Sequence, residues 1–242
     1  MRIVVLTDVH GNLPALGAAL AAIREEGYDA IVHTGDVVGI GPFPAECLDT
    51  LRHVPDIHLL MGNHDAWFAH GLPQPIPPHM GPEFVEHVLW TRAQIDRALQ
   101  AEVARWPYRL AFDADGVPLT FLHYALDETG YDFAPIVHNP TPDDLDRLFA
   151  GETAAAVFYG HHHPFSDIQG RARYINPGAL GAYDRPLARW AVVEAQNGRF
   201  TVEYRAAEYD DRPLYQAFEA RRVPARAFLC RAFLGGRFSE SA

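Results

Sequence analysis

Histidines and acidic residues gather at five points in this chain: Asp8-Val9-His10, Gly35-Asp36, Gly62-Asn63-His64-Asp65, His123 and Gly160-His161-His162-His163. The side chains on offer are imidazoles, carboxylates and one amide, with no thiolate. Such donors suit borderline-hard divalent ions such as Mn, Fe, Zn or Ni rather than a structural zinc. Singly, Asp8 and His10, or Gly35 and Asp36, read equally well as a turn after a strand. The set of five is what points to metal chemistry. Other chemistries fall away: all 20 basic residues are Arg, which excludes a P-loop lysine, a Schiff base and a lysine general base. Cys47 and Cys230 lie far apart with no C-x-x-C and are expected to be buried, reduced thiols.

Each cluster follows a predicted strand: residues 2–7, 30–34, 57–61, 118–122 and 155–159. Leu13, Leu16, Leu20 and Ile23 recur at helical spacing up to Gly27. A loop with Gly39, Gly41, Pro42 and Pro44 then leads into a helix through about Arg52. Strand–helix–strand–helix–strand implies parallel pairing with right-handed crossovers, and ligands gather at the carboxyl ends of such strands. Pro73, Pro75, Pro77 and Pro78 mark a loop, and Phe84, Val88, Ile95 and Leu99 predict one long amphipathic helix ending before Pro107. Strands are expected at 108–112 and 118–122 around Asp115-Gly116, and a helix at 141–151, where Asp143 and Asp144 suit its N-terminus. Short strands follow near 173–175, 189–194 and 199–204, the last two joined by the hairpin signal Gln196-Asn197-Gly198. The tail from Asp210 reads as helical through Leu214, Phe218, Phe228, Leu229 and Phe233. No repeat or low-complexity linker divides the chain. Residues 1–242 are expected to form one domain of two sheets, with a helical insert at 66–107 beside the site and a helical tail at 207–242.

In order and spacing, D-x-H, G-D, G-N-H-D, H and G-H-x-H resemble the signature of the calcineurin-like metallophosphoesterases, over residues 2 to about 195. Asp8-Val-His-Gly-Asn12, Gly35-Asp-Val-Val-Gly-Ile-Gly-Pro42, Trp90-Thr-Arg92 and Asn176-Pro-Gly178 are similar to its small bacterial metallophosphatase branch. Some members of that branch hydrolyse dinucleoside polyphosphates, others phosphodiesters or model substrates. The resemblance implies an α/β fold, a four-layer α/β/β/α sandwich of two mixed sheets with a dinuclear metal site at the strand C-terminal ends. It implies two divalent ions, Mn²⁺ first and Fe, Zn or Ni as alternatives. Asp8, His10 and His163 would hold one, Asn63, His123 and His161 the other, and Asp36 would bridge them, each oxygen taking one ion. Two dications roughly 3.5–4 Å apart bind two phosphate oxygens and lower the pKa of a bridging water, which attacks phosphorus in line. His64 becomes the general acid or a charge stabiliser, with Asp65 holding its other ring nitrogen; Asn12, Asn63 and His64 would touch substrate. Two stretches depart from the branch. Tyr124-Ala125-Leu126 follows His123 where relatives usually read Gly-Ser-Pro. Residues 179–185 are shorter than the usual Ser, then Gly-x-Pro-Arg and a longer loop, so Arg185 either replaces a substrate-binding Arg or pairs with a surface acid.

Plainer readings stand beside these. Asn12 is equally a helix N-cap, and Asn176-Pro177-Gly178 a structural turn. His162 is read as solvent-facing, and His33, His53, His58, His70, His79, His87 and His138 as ordinary surface or helix histidines. Trp90 is read as core, whereas Trp67 and Phe68 directly follow the G-N-H-D motif and would be able to stack on a base. Arg221, Arg222, Arg226, Arg231 and Arg237 bias the tail towards basic, a pattern best read as a solvated helix face. Its phenylalanines suit packing on the sandwich or a homodimer contact. The net charge of −11 disfavours duplex nucleic acid and anionic membrane as partners. One Arg and five apolar residues before Asp8 are too few for a signal-peptide core, and 13–23 is too short to span a bilayer, so the cytoplasm is the expected compartment. The expected function is a metal-dependent phosphodiesterase or phosphatase acting on a small phosphorylated substrate, nucleotides included. The alternatives are asymmetric hydrolysis of a dinucleoside polyphosphate and, more distantly, an inactive scaffold like the retromer subunit that uses this sandwich for protein binding.

Overall fold

Successive residues of the first strand, β1 (Arg2–Leu6), serve two different cores. Ile3 and Val5 point into one and Val4 and Leu6 into the other, because side chains alternate across a strand. A strand buried on both faces reads as an unbroken apolar run, which is why 2–6 looks hydrophobic throughout. The computed structural model describes residues 1–77, 80–128, 130 and 132–236; Pro78, His79 and Arg237, named above, lie outside them.

The order is β1, α1 (Leu13–Glu26), β2 (Ala30–His33), α2 (Pro44–Arg52), β3 (Ile57–Leu59), α3 (Asn63–His70), α4 (Pro82–Gln94), a 3₁₀ turn (Arg97–Leu99) and α5 (Gln100–Val103). Then come β4 (Arg109–Ala114), β5 (Val117–Leu122), α6 (Pro142–Leu148), β6 (Ala156–Phe158), β7 (Ser166–Gln169), β8 (Arg173–Asn176), β9 (Leu187–Gln196), β10 (Arg199–Glu208), α7 (Arg212–Ala220) and α8 (Arg226–Phe233). One sheet runs β10-β9-β1-β2-β3 and the other β4-β5-β6-β8-β7. Each is mixed: β1, β2 and β3 are parallel, as are β5, β6 and β8, while β9, β10, β4 and β7 run against their neighbours.

Three cores separate four layers. Leu16, Leu20, Leu48 and Leu51 of α1 and α2 cover the outer face of the first sheet. Ile3, Val5 and Val32 meet Leu119, Phe121, Phe158 and Ile175 between the sheets. Leu145 of α6 and Phe149 cover Val157, Tyr159 and Tyr174 on the second. This is the α/β/β/α sandwich. The tail forms a fourth cluster, Leu214, Phe218, Val223 and Leu229 packing on Ile40, Ala179 and Ala182. Phe228 is exposed. Cys47 and Cys230 are buried free thiols.

Two local expectations are corrected, and one strand carries no signal in the sequence. The helix expected to run unbroken to Pro107 ends at Gln94, where Ile95 turns extended and buries its side chain. The Asp96 carboxylate then accepts the Ala98 N–H and starts a separate 3₁₀ turn. Helix α3 begins inside the G-N-H-D motif, ahead of the expected insert. Strand β7, Ser-Asp-Ile-Gln at the sheet edge, carries no apolar alternation and was unreadable.

His33, read as a surface or helix histidine, lies on β2 instead, and His87 is a helix residue of α4; both are fully buried. On α4, His87 stacks on Trp90, and burial pushes its pKa down to about 4. The imidazole is therefore neutral when folded, while the unfolded chain takes up its proton near 6.5. Stability should be complete above pH 6.5 and fall by about 3 kcal/mol as the pH drops to about 4. His87→Phe should flatten that segment of a urea-denaturation pH series; an unchanged slope would count against a neutral, buried ring.

Candidate metal centre

The carboxyl ends of β1, β2, β3, β5 and β6 open on the same side of the sandwich, and the five clusters meet there. Asp8, His10, Asp36, His161 and His163 all take left-handed backbone, with φ of 54°, 49°, 62°, 67° and 70°. Non-glycine residues hold that conformation only when the surroundings impose it, and such strain concentrates at functional sites.

The donor atoms fall into three groups: Asp8, His10 and His163; Asp36, His123 and His161; and His10, Asp36 and His64. In the first, His10 Nε2 lies 2.9 Å from His163 Nε2, and each is 3.5 Å from Asp8 Oδ1. That oxygen is buried without a hydrogen-bond partner, whereas Oδ2 accepts from the Thr7 hydroxyl and the His161 N–H. In the second, Asn63 Oδ1 lies 2.9 Å from His161 Nδ1 and 3.2 Å from His123 Nε2, and those two nitrogens are 3.2 Å apart. Donors bound at about 2.1 Å to one ion sit roughly 3.0–3.4 Å from each other. Imidazole lone pairs turned on one another around an orphaned carboxylate oxygen fit a shared cation. His10 Nδ1 faces the Val38 carbonyl at 3.3 Å, which keeps Nε2 for the centre.

Asp36 joins the groups. Its Oδ2 is 3.7 Å from His10 Nε2 and 3.3 Å from His123 Nε2. Its Oδ1 accepts the His64 N–H at 2.8 Å, in the first turn of α3. It is therefore Oδ2 that stands between the two groups, while Oδ1 is engaged with the start of α3. Burial opposes the charge on Asp8 and Asp36, but the surrounding histidines hold both carboxyls below their usual range. Burial likewise opposes charge on His123, yet Asp36 outweighs it and holds the ring up at about 9. Burial wins at His161 and His163, pushed down to about 3 and about 4, and it pushes His64 well below its ordinary value.

His64 is wedged: its ring lies 4.6 Å from that of Trp67 and 5.0 Å from that of His10, and a Cβ on Gly39 would fall on its Nδ1. Asp65 does not hold that ring, contrary to expectation. Its oxygens accept backbone N–H groups of Asp36 (2.7 Å), Val37 (3.1 Å), Val38 (3.3 Å) and Gly62 (3.2 Å), tying the β2 loop to the start of α3. Burial and then the Asp36 charge push Asp65 up to about 7, against the pull of those amides.

Asn12 is also not free for substrate. Its Oδ1 caps α1 at the Ala15 N–H, and its Nδ2 donates to the Gly181 carbonyl and the Tyr209 hydroxyl. Asn176 spans the Gly178 N–H and the Gly160 carbonyl, a structural turn as expected. Phe68 is core, and Arg185 pairs on the surface with Tyr183 and Asp184, so neither is a substrate contact. Trp67 does line the cleft beside the centre. Sequence reasoning missed Phe84, Phe133 and Phe233, which line the same cleft, and His138, whose ring meets His162 at 3.2 Å. In the sequence Phe84 and Phe233 stand out only as apolar helix positions, and nothing singles out Phe133 or His138.

A family model for the calcineurin-like phosphoesterase superfamily domain matches residues 1–198. The chain belongs to that superfamily. An uncharacterised protein of Methanocaldococcus jannaschii is 25% identical, over 92% of this chain and 93% of its own. A metallophosphoesterase of Sphaerobacter thermophilus superposes with a TM-score of 0.69 at 25% identity, over 93% of this chain and 95% of its own. A hypothetical protein of Pyrococcus horikoshii superposes with a TM-score of 0.80 at 18% identity, over 98% and 99%, a likeness of fold. As a member of the superfamily, the chain is a phosphoesterase-type α/β protein with grouped metal-binding side chains. Among the described residues no helix is long and apolar enough to cross a membrane.

Proposed function

We propose that this protein is a metal-dependent hydrolase of phosphodiesters or phosphomonoesters, working with two divalent ions, Mn²⁺ foremost. The observation that carries the reading is Asp36 Oδ2 lying between two sets of inward-turned imidazoles. Asp8, His10 and His163 would hold one ion, Asn63, His123 and His161 the other, with Asp36 shared. Bound there, the ions supply Lewis acidity towards a phosphoryl group and an activated water. The protein's own part is to fix the donors: the Val38 carbonyl orients His10, the α3 N-terminus fixes Asp36 and Asp65 pins the β2 loop. His64, wedged between Gly39 and Trp67 and kept neutral by burial, is placed to donate a ring N–H hydrogen bond that stabilises the charge on the leaving oxygen, and in its neutral form it adds no charge to a crowded centre. The chain works as one domain, its tail buttressing the site loops.

The test is hydrolysis of bis-p-nitrophenyl phosphate and p-nitrophenyl phosphate after chelation and after Mn²⁺ is restored, with metal content measured alongside. Chelation should abolish turnover, and Mn²⁺ should restore it near two equivalents per chain. Absence of metal-dependent turnover of either ester would favour a scaffold. His64→Ala should keep both ions and lose about 10²- to 10³-fold in kcat/KM; loss of an ion instead would make His64 a ligand, as its grouping with His10 and Asp36 permits. Gly39→Ala, at φ +84°, should displace the ring without touching a donor and cost about 10²-fold. Native kcat/KM in that variant would show that the ring's position is immaterial.

A further inference from the structure

Aromatic walls beside the centre come from segments outside the five clusters. Trp67 lies 4.6 Å from His64, Phe133 lies 5.2 Å from His123 and 5.6 Å from His161, and Phe233 lies 5.6 Å from His163, ring centre to ring centre. These rings are half-buried and line a cleft of about 570 Å³ with Asp36 and Asn63 at its floor. Past Asn63, Trp67 and Phe133 it adjoins a second hollow of about 500 Å³ that reaches Tyr108.

We propose that the substrate is an ester of a single phosphoryl group bearing a planar aromatic group, a nucleobase or aryl ring, seated against Trp67 and Phe133. This rests on the phosphoesterase reading above, which supplies the anchor for the phosphoryl group at Asn63 and Asp36. A planar ring gains from stacking on aromatic faces whatever its edge pattern, so such walls select for planarity rather than for one base. The charges set the number of phosphates. Asp132 lines both hollows, and among their described residues neither hollow has an arginine in its lining. Arg189 and Arg231 line a different groove, which shares His163 and Phe233 with the cleft. Arg189 is spent there on the His163 and Ala179 carbonyls and on the Tyr183 face. A second phosphate placed along the aromatic cleft would face the Asp132 carboxylate with no guanidinium to offset it.

The test is calorimetric binding to the Mn²⁺-loaded protein of inorganic phosphate, and of the phosphonate analogues of ribose 5-phosphate and adenosine 5′-monophosphate. The adenosine ligand should bind about tenfold tighter than the ribose one or better. Trp67→Ala and Phe133→Ala, which sit on different segments, should each bring that ratio close to one. A methylene-bridged adenosine analogue with three phosphoryl groups should bind no tighter than that with one. Equal affinities for the ribose and adenosine ligands in the native protein, with phosphate still bound, would overturn the proposal alone. Tenfold tighter binding of the three-phosphoryl ligand would overturn its single-phosphate part. Failure of inorganic phosphate to bind would instead sink the phosphoesterase reading beneath it.

Discussion

Asp36→Asn should empty both ion sites together and lower kcat/KM by about 10⁴-fold or more. The substitution is nearly isosteric, and its amide oxygen still accepts the His64 N–H that Asp36 Oδ1 takes at 2.8 Å, so the start of α3 survives. What changes is the atom facing the centre. Oδ2, 3.7 Å from His10 and 3.3 Å from His123, becomes an NH₂ that repels any cation the two histidine groups would share. One electrostatic stabiliser of a transition state is worth about 2.7–4 kcal/mol, or 10²–10³-fold. Because one side chain serves both groups, two such losses arrive at once. Asp8→Asn touches the first group alone and should cost less. Metal analysis of purified protein, set beside kinetics, separates the cases: a variant that loses one equivalent and keeps the other would show that Asp36 serves only one group.

Much of this was legible because parallel strands deliver the residues after them to one edge. Asp8, Asp36, Asn63, His123 and His161 each follow a short apolar run, and the topology brings the ends of those runs together. The layers were legible for a related reason, since strands buried on both faces carry continuous apolar residues between amphipathic helices. What hid was whatever depends on backbone amides or on contacts distant in sequence. Asp65 next to His64 invites a side-chain pairing, yet its partners are amides some thirty positions back. The signal present was an acid at the third position of a helix beginning at Asn63, obscured because the motif reads first as a strand end. Asn12 met the same fate: its capping role was visible, but its bond to Tyr209 across the fold was not. Phe133 and Phe233 carry no periodicity that aims them at histidines. They reach the centre only because Phe133 pairs with Leu126 and packs against the cluster of Leu122 and Tyr124, and because the tail packs on Ile40 and Ala179.

Asp65→Ala should destabilise the fold more than any other single change at the centre, although Asp65 reaches no candidate donor group directly. Its carboxylate takes the N–H groups of Asp36, Val37, Val38 and Gly62 in a fully buried position. Truncation strands four amide donors where folded backbone keeps nearly all of them paired. Each orphan costs about 1–3 kcal/mol, so the sum is about 4 kcal/mol even if water relieves part of it. That is a large share of the roughly 5–15 kcal/mol that holds a domain together. The left-handed turn at Asp36 would lose its anchor, and metal content should fall with stability. Asp65→Asn should recover little, since its NH₂ meets amide donors where an oxygen is needed. Urea denaturation and metal analysis of the two variants decide between roles. A carboxylate that merely orients the His64 ring would leave stability and metal content native and lower kcat/KM alone. A carboxylate that knits the β2 loop to α3 loses all three together, and the geometry of its four amide contacts predicts that outcome.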